Sequence, residues 1–271
     1  MRLLLAELKR SFMLGKVAAS IVAVIVLMLL AAYENLDFYL QAGREYWNGV
    51  GAVDLLQYQM MFDTFKIVIA IGIASVGTGS FCQDMTSQYL RHILSRTDIY
   101  AYSLCKFIAN MIVILTVSIV SCYLFSLVII LMGFEIVSEN ARGGMIGGAY
   151  YIEIIKKCPG IYIGMVGMQF GLVIAVFSSI GLLFSAYQCN AFVSIGVAAL
   201  TFYMAMSLPV LQTGILNFLN ITGMVPVLPW GYDTSYALSI AWGILLPLIL
   251  IAVCCQLFYQ KLKRRQKDGE L

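Results

Sequence analysis

FCQDMTSQYLRHILSRTDIYAYSLCKFIAN, residues 81–110, decides how this chain is read. It is a charged, helix-forming segment set between two long apolar stretches, in a chain that is 61% hydrophobic and 11% charged. A soluble domain of 271 residues needs a charged shell, and 31 acidic and basic side chains cannot supply one. A bilayer removes that need. Apolar runs long enough to cross about 30 Å of hydrocarbon as helices recur at roughly 17–33, 65–82, 107–133, 161–187, 191–210 and 238–259. Backbone facing lipid must satisfy its own hydrogen bonds, and the alternation of a membrane barrel is missing. The expected fold is all-α and integral to the membrane, with six transmembrane helices. Residues 1–271 read as a single polytopic membrane domain. The first apolar run is longer than a signal-peptide core and is expected to be retained.

An even number of spans puts both termini on one side of the bilayer. That side carries Arg2, Lys9, Arg10, Lys16, Arg91, Arg96, Lys106, Lys261, Lys263, Arg264, Arg265 and Lys267, twelve of the seventeen basic residues, against five acids. The other side has five basic residues and nine acids. Excess Lys and Arg mark the cytoplasmic face, so both termini are expected in the cytoplasm of a multi-pass cell-membrane protein. The basic residues sit at membrane edges without a stacking platform or a continuous stripe, which gives a nucleic-acid partner no support.

No catalytic or metal site is expected. Six of the seven cysteines lie within or at the ends of spans, Cys158 stands in an outer loop, and no CxxC occurs. The single histidine, His92, has no acidic or thiol partner at ligand spacing. Paired intramembrane aspartates, a serine with histidine, and HExxH are all missing, which disfavours an intramembrane protease.

Residues 1–15 form an amphipathic helix with Leu4, Leu5, Leu8 and Phe12 within about 100° of one another. Arg2, Glu7, Lys9 and Arg10 take the remaining arc, so the helix is expected in the headgroup plane, its basic residues toward anionic lipid or a cytoplasmic partner. Gly160, Gly164, Gly167 and Gly171 share one face of the fourth span, where another helix can approach closely. Only a few residues around Gln188–Asn190 join the fourth and fifth spans, which requires a tight antiparallel hairpin. Residues 211–237 are apolar but interrupted by Gly214, Gly223, Pro226, Pro229 and Gly231. They are expected as short re-entrant helices on the outer side, buried against protein or a cavity.

Between the second and third spans, Asp84 is placed to cap a helix running to about Leu94. Met85, Tyr89, Leu90, Ile93 and Leu94 share its apolar face, with Thr86, Gln88, Arg91 and His92 elsewhere. On the residues alone, such a helix lies on lipid or fills a groove on a soluble domain.

Six spans, a basic amphipathic helix before the first, a helical segment between the second and third, and a broken outer segment before the sixth resemble the permease subunit of type-two ABC exporters. Asp84, the run Leu94-Ser95-Arg96, Tyr100 or Tyr102, and Lys106 stand where that family often carries an acidic residue, a leucine-serine-arginine run, a tyrosine and a lysine. Relatives often have glycine near the position of Gln88, and glycine or proline where this chain has Thr97. The resemblance implies that residues 83–105 are a cytoplasmic coupling segment contacting a soluble ABC ATPase subunit, through Asp84, Met85, Gln88, Tyr89, Arg91, His92, Ile93 and Arg96. It also implies a second permease subunit, in a homodimer or beside a related chain, and a bacterial source. This chain lacks a phosphate-cradling loop: its only Gly-Lys pair, Gly15-Lys16, is followed by Val17 and has no glycine five residues earlier. No cofactor is expected here, and ATP and Mg would belong to the partner ATPase.

A substrate path would be lined by hydroxyls without full charge: Thr64, Ser75 and Thr78 in the second span, and Ser194, Thr201, Tyr203 and Ser207 in the fifth. The lack of acidic or basic residues in mid-membrane disfavours an ion-coupled carrier. A largely apolar path suits a hydrophobic or amphipathic cargo, such as an antimicrobial peptide or drug. The competing expectation is a non-transporting membrane scaffold or a peptide-binding immunity protein.

Overall fold

The computed structural model describes residues 2–12, 14–42, 49–61, 66–138, 154–207 and 236–268. Thr64 and all but the last two residues of 211–237 lie outside them. Among the described residues ten helices follow one another: α1 (Arg2–Ser11), α2 (Leu14–Ala42), α3 (Ala52–Met61), α4 (Lys66–Thr78), α5 (Ser80–Thr86), α6 (Tyr89–Leu94), α7 (Ile99–Leu131), α8 (Pro159–Ser185), α9 (Ala191–Ser207) and α10 (Tyr236–Lys267). Among the described residues the β structure is one isolated bridge, Gly51 to Glu135. Five segments among the described residues are long and apolar enough to cross a membrane: 15–33, 66–86, 99–131, 159–185 and 241–267. At 17 residues, α9 is apolar but shorter.

The central helix is α8, which packs against α4, α7, α9 and α10. Lipid tails are as apolar as leucine, so helices in a bilayer associate through close packing and interhelical hydrogen bonds. The glycine face of α8 meets α7 in this way. A Cβ at Gly167 would stand 3.0 Å from the Ile119 Cα, and one at Gly171 would stand 3.1 Å from the Ser118 Cβ. Into that close approach Ser118 Oγ donates a hydrogen bond to the Gly167 carbonyl at 2.8 Å. A second polar contact joins α7, α8 and α4. Asn110 Nδ2 donates to Ser178 Oγ at 3.0 Å, and a Cβ on Gly77 would fall 1.6 Å from Asn110 Oδ1. Only a glycine leaves room there for the amide.

The loop after the first span holds a structured piece. In α3, Ala52, Val53, Leu55 and Leu56 are buried against α2, α7 and α8. Two buried glutamines tether it: Gln59 Nε2 donates to the Met28 carbonyl at 2.7 Å, and Gln57 Nε2 donates to the Tyr162 hydroxyl. Its start is fixed by Ala52 N–H donating to the Glu135 carbonyl at 3.0 Å.

Two expectations are corrected. The first is the single helix from Asp84 to Leu94. The second span passes an irregular joint at Gly79 and leaves the bundle still helical as α5, whose N-cap is Gly79. Asp84 is therefore inside a helix and does not cap one. The reversal comes at Ser87–Gln88, where Gln88 takes φ 56°, and α6 starts after it. The second is α1: the expected charged arc does not all face outward. Glu7 is fully buried while Leu5 is 61% exposed, because Glu7 and Arg10 have partners inside the bundle.

A left-handed backbone costs a non-glycine residue about 1 kcal/mol. Gln88→Gly should therefore raise stability by roughly 0.5–1 kcal/mol in thermal unfolding of the detergent-solubilised protein, and Gln88→Ala should not. Equal behaviour of the two variants would contradict this reading of the turn. Gly77→Ala should be strongly destabilising alone, and much less so on an Asn110→Ala background, because the two positions share one space.

Candidate functional site

The site lies at the end of the bundle where α1, the α5–α6 elbow, the start of α7 and the end of α10 meet. Its centre is Asp84. The periodicity of α5 places Phe81, Cys82 and Asp84 inward, and all three are buried. Lys106, one turn above Tyr102 on α7, brings its Nζ to 2.5 Å from Asp84 Oδ2, and the Tyr102 hydroxyl donates to the same oxygen at 2.6 Å. Arg10 Nη1 pairs with the other oxygen, Oδ1. Lys106 also reaches Glu7 Oε2 at 3.2 Å, so one ammonium bridges the two carboxylates. The Arg10 guanidinium stacks over the Tyr89 ring at 4.2 Å, which joins α6 to the same cluster. Burial, with the Glu7 charge next, raises the Tyr89 hydroxyl above its ordinary value, while Arg10 pulls the other way.

Two acids and two bases sum to zero, and that neutrality is what allows the burial. The side chains of Asp84, Glu7 and Lys106 are 1%, 0% and 3% exposed, while that of Arg10 is 32% exposed. Burying such a set costs desolvation that its internal attraction roughly offsets, so the cluster is weak as a source of net stability. It is strong as a specifier: any displacement of α1, α5 or α7 that separates the partners leaves a charge unpaired in a low-dielectric site.

Further contacts hold α5 in place. Phe258 of α10 packs edge-on to Phe81 and Phe107, with ring centroids 5.1 and 5.4 Å away. Each such pair contributes about 0.5–1.5 kcal/mol beyond its buried area. Lys16 Nζ donates to Gln83 Oε1 at 3.2 Å.

The eight expected coupling residues divide into two groups. Asp84 is buried, Tyr89 lies under Arg10, and Met85 and Ile93 pack on the core. Gln88, Arg91, His92 and Arg96 are exposed and form the outward tip of the elbow. The expected path residues divide as well. Thr78 and Ser194 are buried where α4, α8 and α9 converge on Gly181, whose Cβ would stand 2.5 Å from the Ser194 carbonyl oxygen. Ser75, Tyr203 and Ser207 are exposed. Ser75, Thr78, Ser194 and Thr201 donate to carbonyls three or four residues back, the local bonding common for hydroxyls in membrane helices. Sequence reasoning missed Glu7, Arg10 and Tyr102 as cluster members and took Lys106 only as a family position. The available signal was an acid placed three residues before a base on a helix with an otherwise apolar inner face.

Asp84→Asn should cost about 3 kcal/mol or more in thermal unfolding, since it leaves Lys106 and Arg10 without their shared partner. Glu7→Gln should cost less, roughly 1–2 kcal/mol, because Lys106 keeps Asp84. Equal losses would contradict the ranking. Comparison of the chain with protein-family models, curated proteins and solved structures finds no match, so the meaning of this cluster rests on its geometry.

Proposed function

We propose that the chain is the transmembrane subunit of an ATP-driven ABC exporter, with the α5–α6 elbow as its contact for a separate ATPase subunit. The observation that carries this reading is the division of the elbow into two faces. One face is fastened through Asp84 and Tyr89 to α1 and α7, and the other offers Gln88, Arg91, His92 and Arg96 to a partner. A load applied to the exposed tip passes to three helices at once, because moving α5 alone would break the buried ion pairs.

In this reading the chain has six spans, both termini are cytoplasmic, and the protein sits in a bacterial cell membrane. The span beyond the five long ones is α9, fifth in chain order, whose 17 residues cover about 26 Å as a helix. Closure of two ATPase subunits around ATP and Mg displaces the elbows, and the first, second and fifth spans of two permease copies tilt at their common interface. Ser75, Tyr203 and Ser207, exposed on α4 and α9, then face that interface together with the apolar side of α2 formed by Val22, Val26 and Leu30. A path of this composition suits a hydrophobic or amphipathic cargo.

Extraction in mild detergent should recover the chain with a soluble ATPase. Arg91→Asp with Arg96→Asp should reduce that recovery roughly ten-fold or more, as expected for loss of about 1.4 kcal/mol, and leave thermal stability unchanged because both side chains are exposed. Undiminished recovery would place the contact elsewhere. Cargo binding that survives inactivation of the ATPase, with no transport to lose, would favour the peptide-binding scaffold.

A further inference from the structure

Two cysteines 107 positions apart in sequence meet beside the elbow. Cys82 lies in α5, two residues before Asp84, and Cys189 lies in the turn between α8 and α9. Both are free thiols. The Cys189 thiol donates to the Cys82 carbonyl at 3.8 Å. The backbones run close here: a Cβ on Gly79 would stand 3.2 Å from the Ala191 Cβ. The turn is pinned from α10, where Arg265 Nη1 donates to the Ala186 carbonyl at 3.0 Å and Lys261 Nζ sits 4.8 Å from the centre of the Tyr187 ring.

Exposure differs between the two thiols: Cys189 is exposed, whereas Cys82 is 5% exposed. The accessible sulfur therefore meets an oxidant first, and its sheltered neighbour is placed to complete the bond. The remaining cysteines differ. Cys105 is half-buried on α7, Cys122 is buried, Cys158 is exposed in an outer segment, and Cys254 and Cys255 are adjacent in one helix.

We propose that Cys82 and Cys189 form a reversible disulfide, an oxidation site that staples the α5 elbow to the α8–α9 turn. Hydrogen peroxide is the oxidant. The Cys189 thiolate attacks one peroxide oxygen, the O–O bond breaks, hydroxide leaves, and Cys189 becomes a sulfenic acid. The Cys82 sulfur then attacks that sulfur while losing its thiol proton, and the displaced hydroxyl group takes up that proton and leaves as water. Two thiols and one peroxide give one disulfide and two waters, with two electrons passing from sulfur to oxygen. A small dithiol reverses the reaction by exchange. On a reducing side of the membrane such a bond is transient, as expected of a redox sensor. Its consequence rests on the function proposed above: an elbow stapled to α9 cannot shift against it, so oxidation arrests transport.

The test is peroxide treatment of the intact purified protein, alkylation of remaining thiols, non-reducing proteolysis and mass spectrometry. The expected result is a peptide linking Cys82 to Cys189 in most molecules, formed within one chain, absent from Cys82→Ser and Cys189→Ser and removed by dithiothreitol. Oxidised or alkylated Cys189 with Cys82 free, or a Cys189 bridge between two chains, would overturn the site. In vesicles with the ATPase present, peroxide should reduce wild-type transport several-fold and leave Cys189→Ser unaffected. A linked peptide with transport unchanged would overturn the arrest and retain the site, and the peptide mapping stands whether or not the chain proves to be an exporter.

Discussion

Asp84 is an anion held out of water, and the arrangement of its end of the bundle follows from that. A buried carboxylate must be neutralised by groups that can approach within bonding distance, and here Lys106, Arg10 and the Tyr102 hydroxyl do so from two other helices. The requirement sets the position of α1. An amphipathic helix with this composition could float in the headgroup layer, yet Glu7 and Arg10 point inward because Lys106 and Asp84 would otherwise carry unpaired charge. The cluster therefore makes an amphipathic helix an integral part of the bundle.

The elbow is fastened by three chemically different contacts on neighbouring faces of α5. Ion pairs bind it to α1 and α7, a T-shaped aromatic node at Phe258 binds it to α7 and α10, and close packing at Gly79 and Cys82 sets it against α9. Ion pairs and small-residue contacts are bistable rather than elastic: they hold or they part. A structure built this way resists displacement of α5 alone. The tip around Gln88 turns its exposed side chains away from these contacts, where a partner can reach them.

The membrane helices were legible in the sequence because an uncharged apolar run of about twenty residues is long enough to span hydrocarbon and poorly suited to a water-facing helix. The glycine face of α8 was legible for a related reason: spacing of three and four leaves no ambiguity about which residues share a side, and Gly164, Gly167 and Gly171 do lie against α7. The charge cluster was hidden because its members are far apart, with Glu7 and Lys106 separated by 99 residues. Local pattern assigned each a local role, Asp84 as a cap and Glu7 as a solvated charge. The kink at Gln88 was hidden by apolar periodicity that runs across it, since Met85, Tyr89 and Ile93 keep inward positions on both sides of the break. The hydroxyls proposed for a path show the opposite limit. Ser75 and Thr78 look alike in sequence, yet one is exposed and the other is packed against α8 and α9.

The most direct measurement of the central claim is hydrogen–deuterium exchange of the intact protein in detergent or nanodiscs, comparing wild type with Asp84→Asn. If α1, the elbow and the start of α7 are fastened by one carboxylate, amides in residues 2–12 and 80–94 should lose protection together, while those of α8 keep theirs. Loosening of the elbow alone, with α1 as protected as before, would show that the helices are held independently and that Asp84 is not the joint between them.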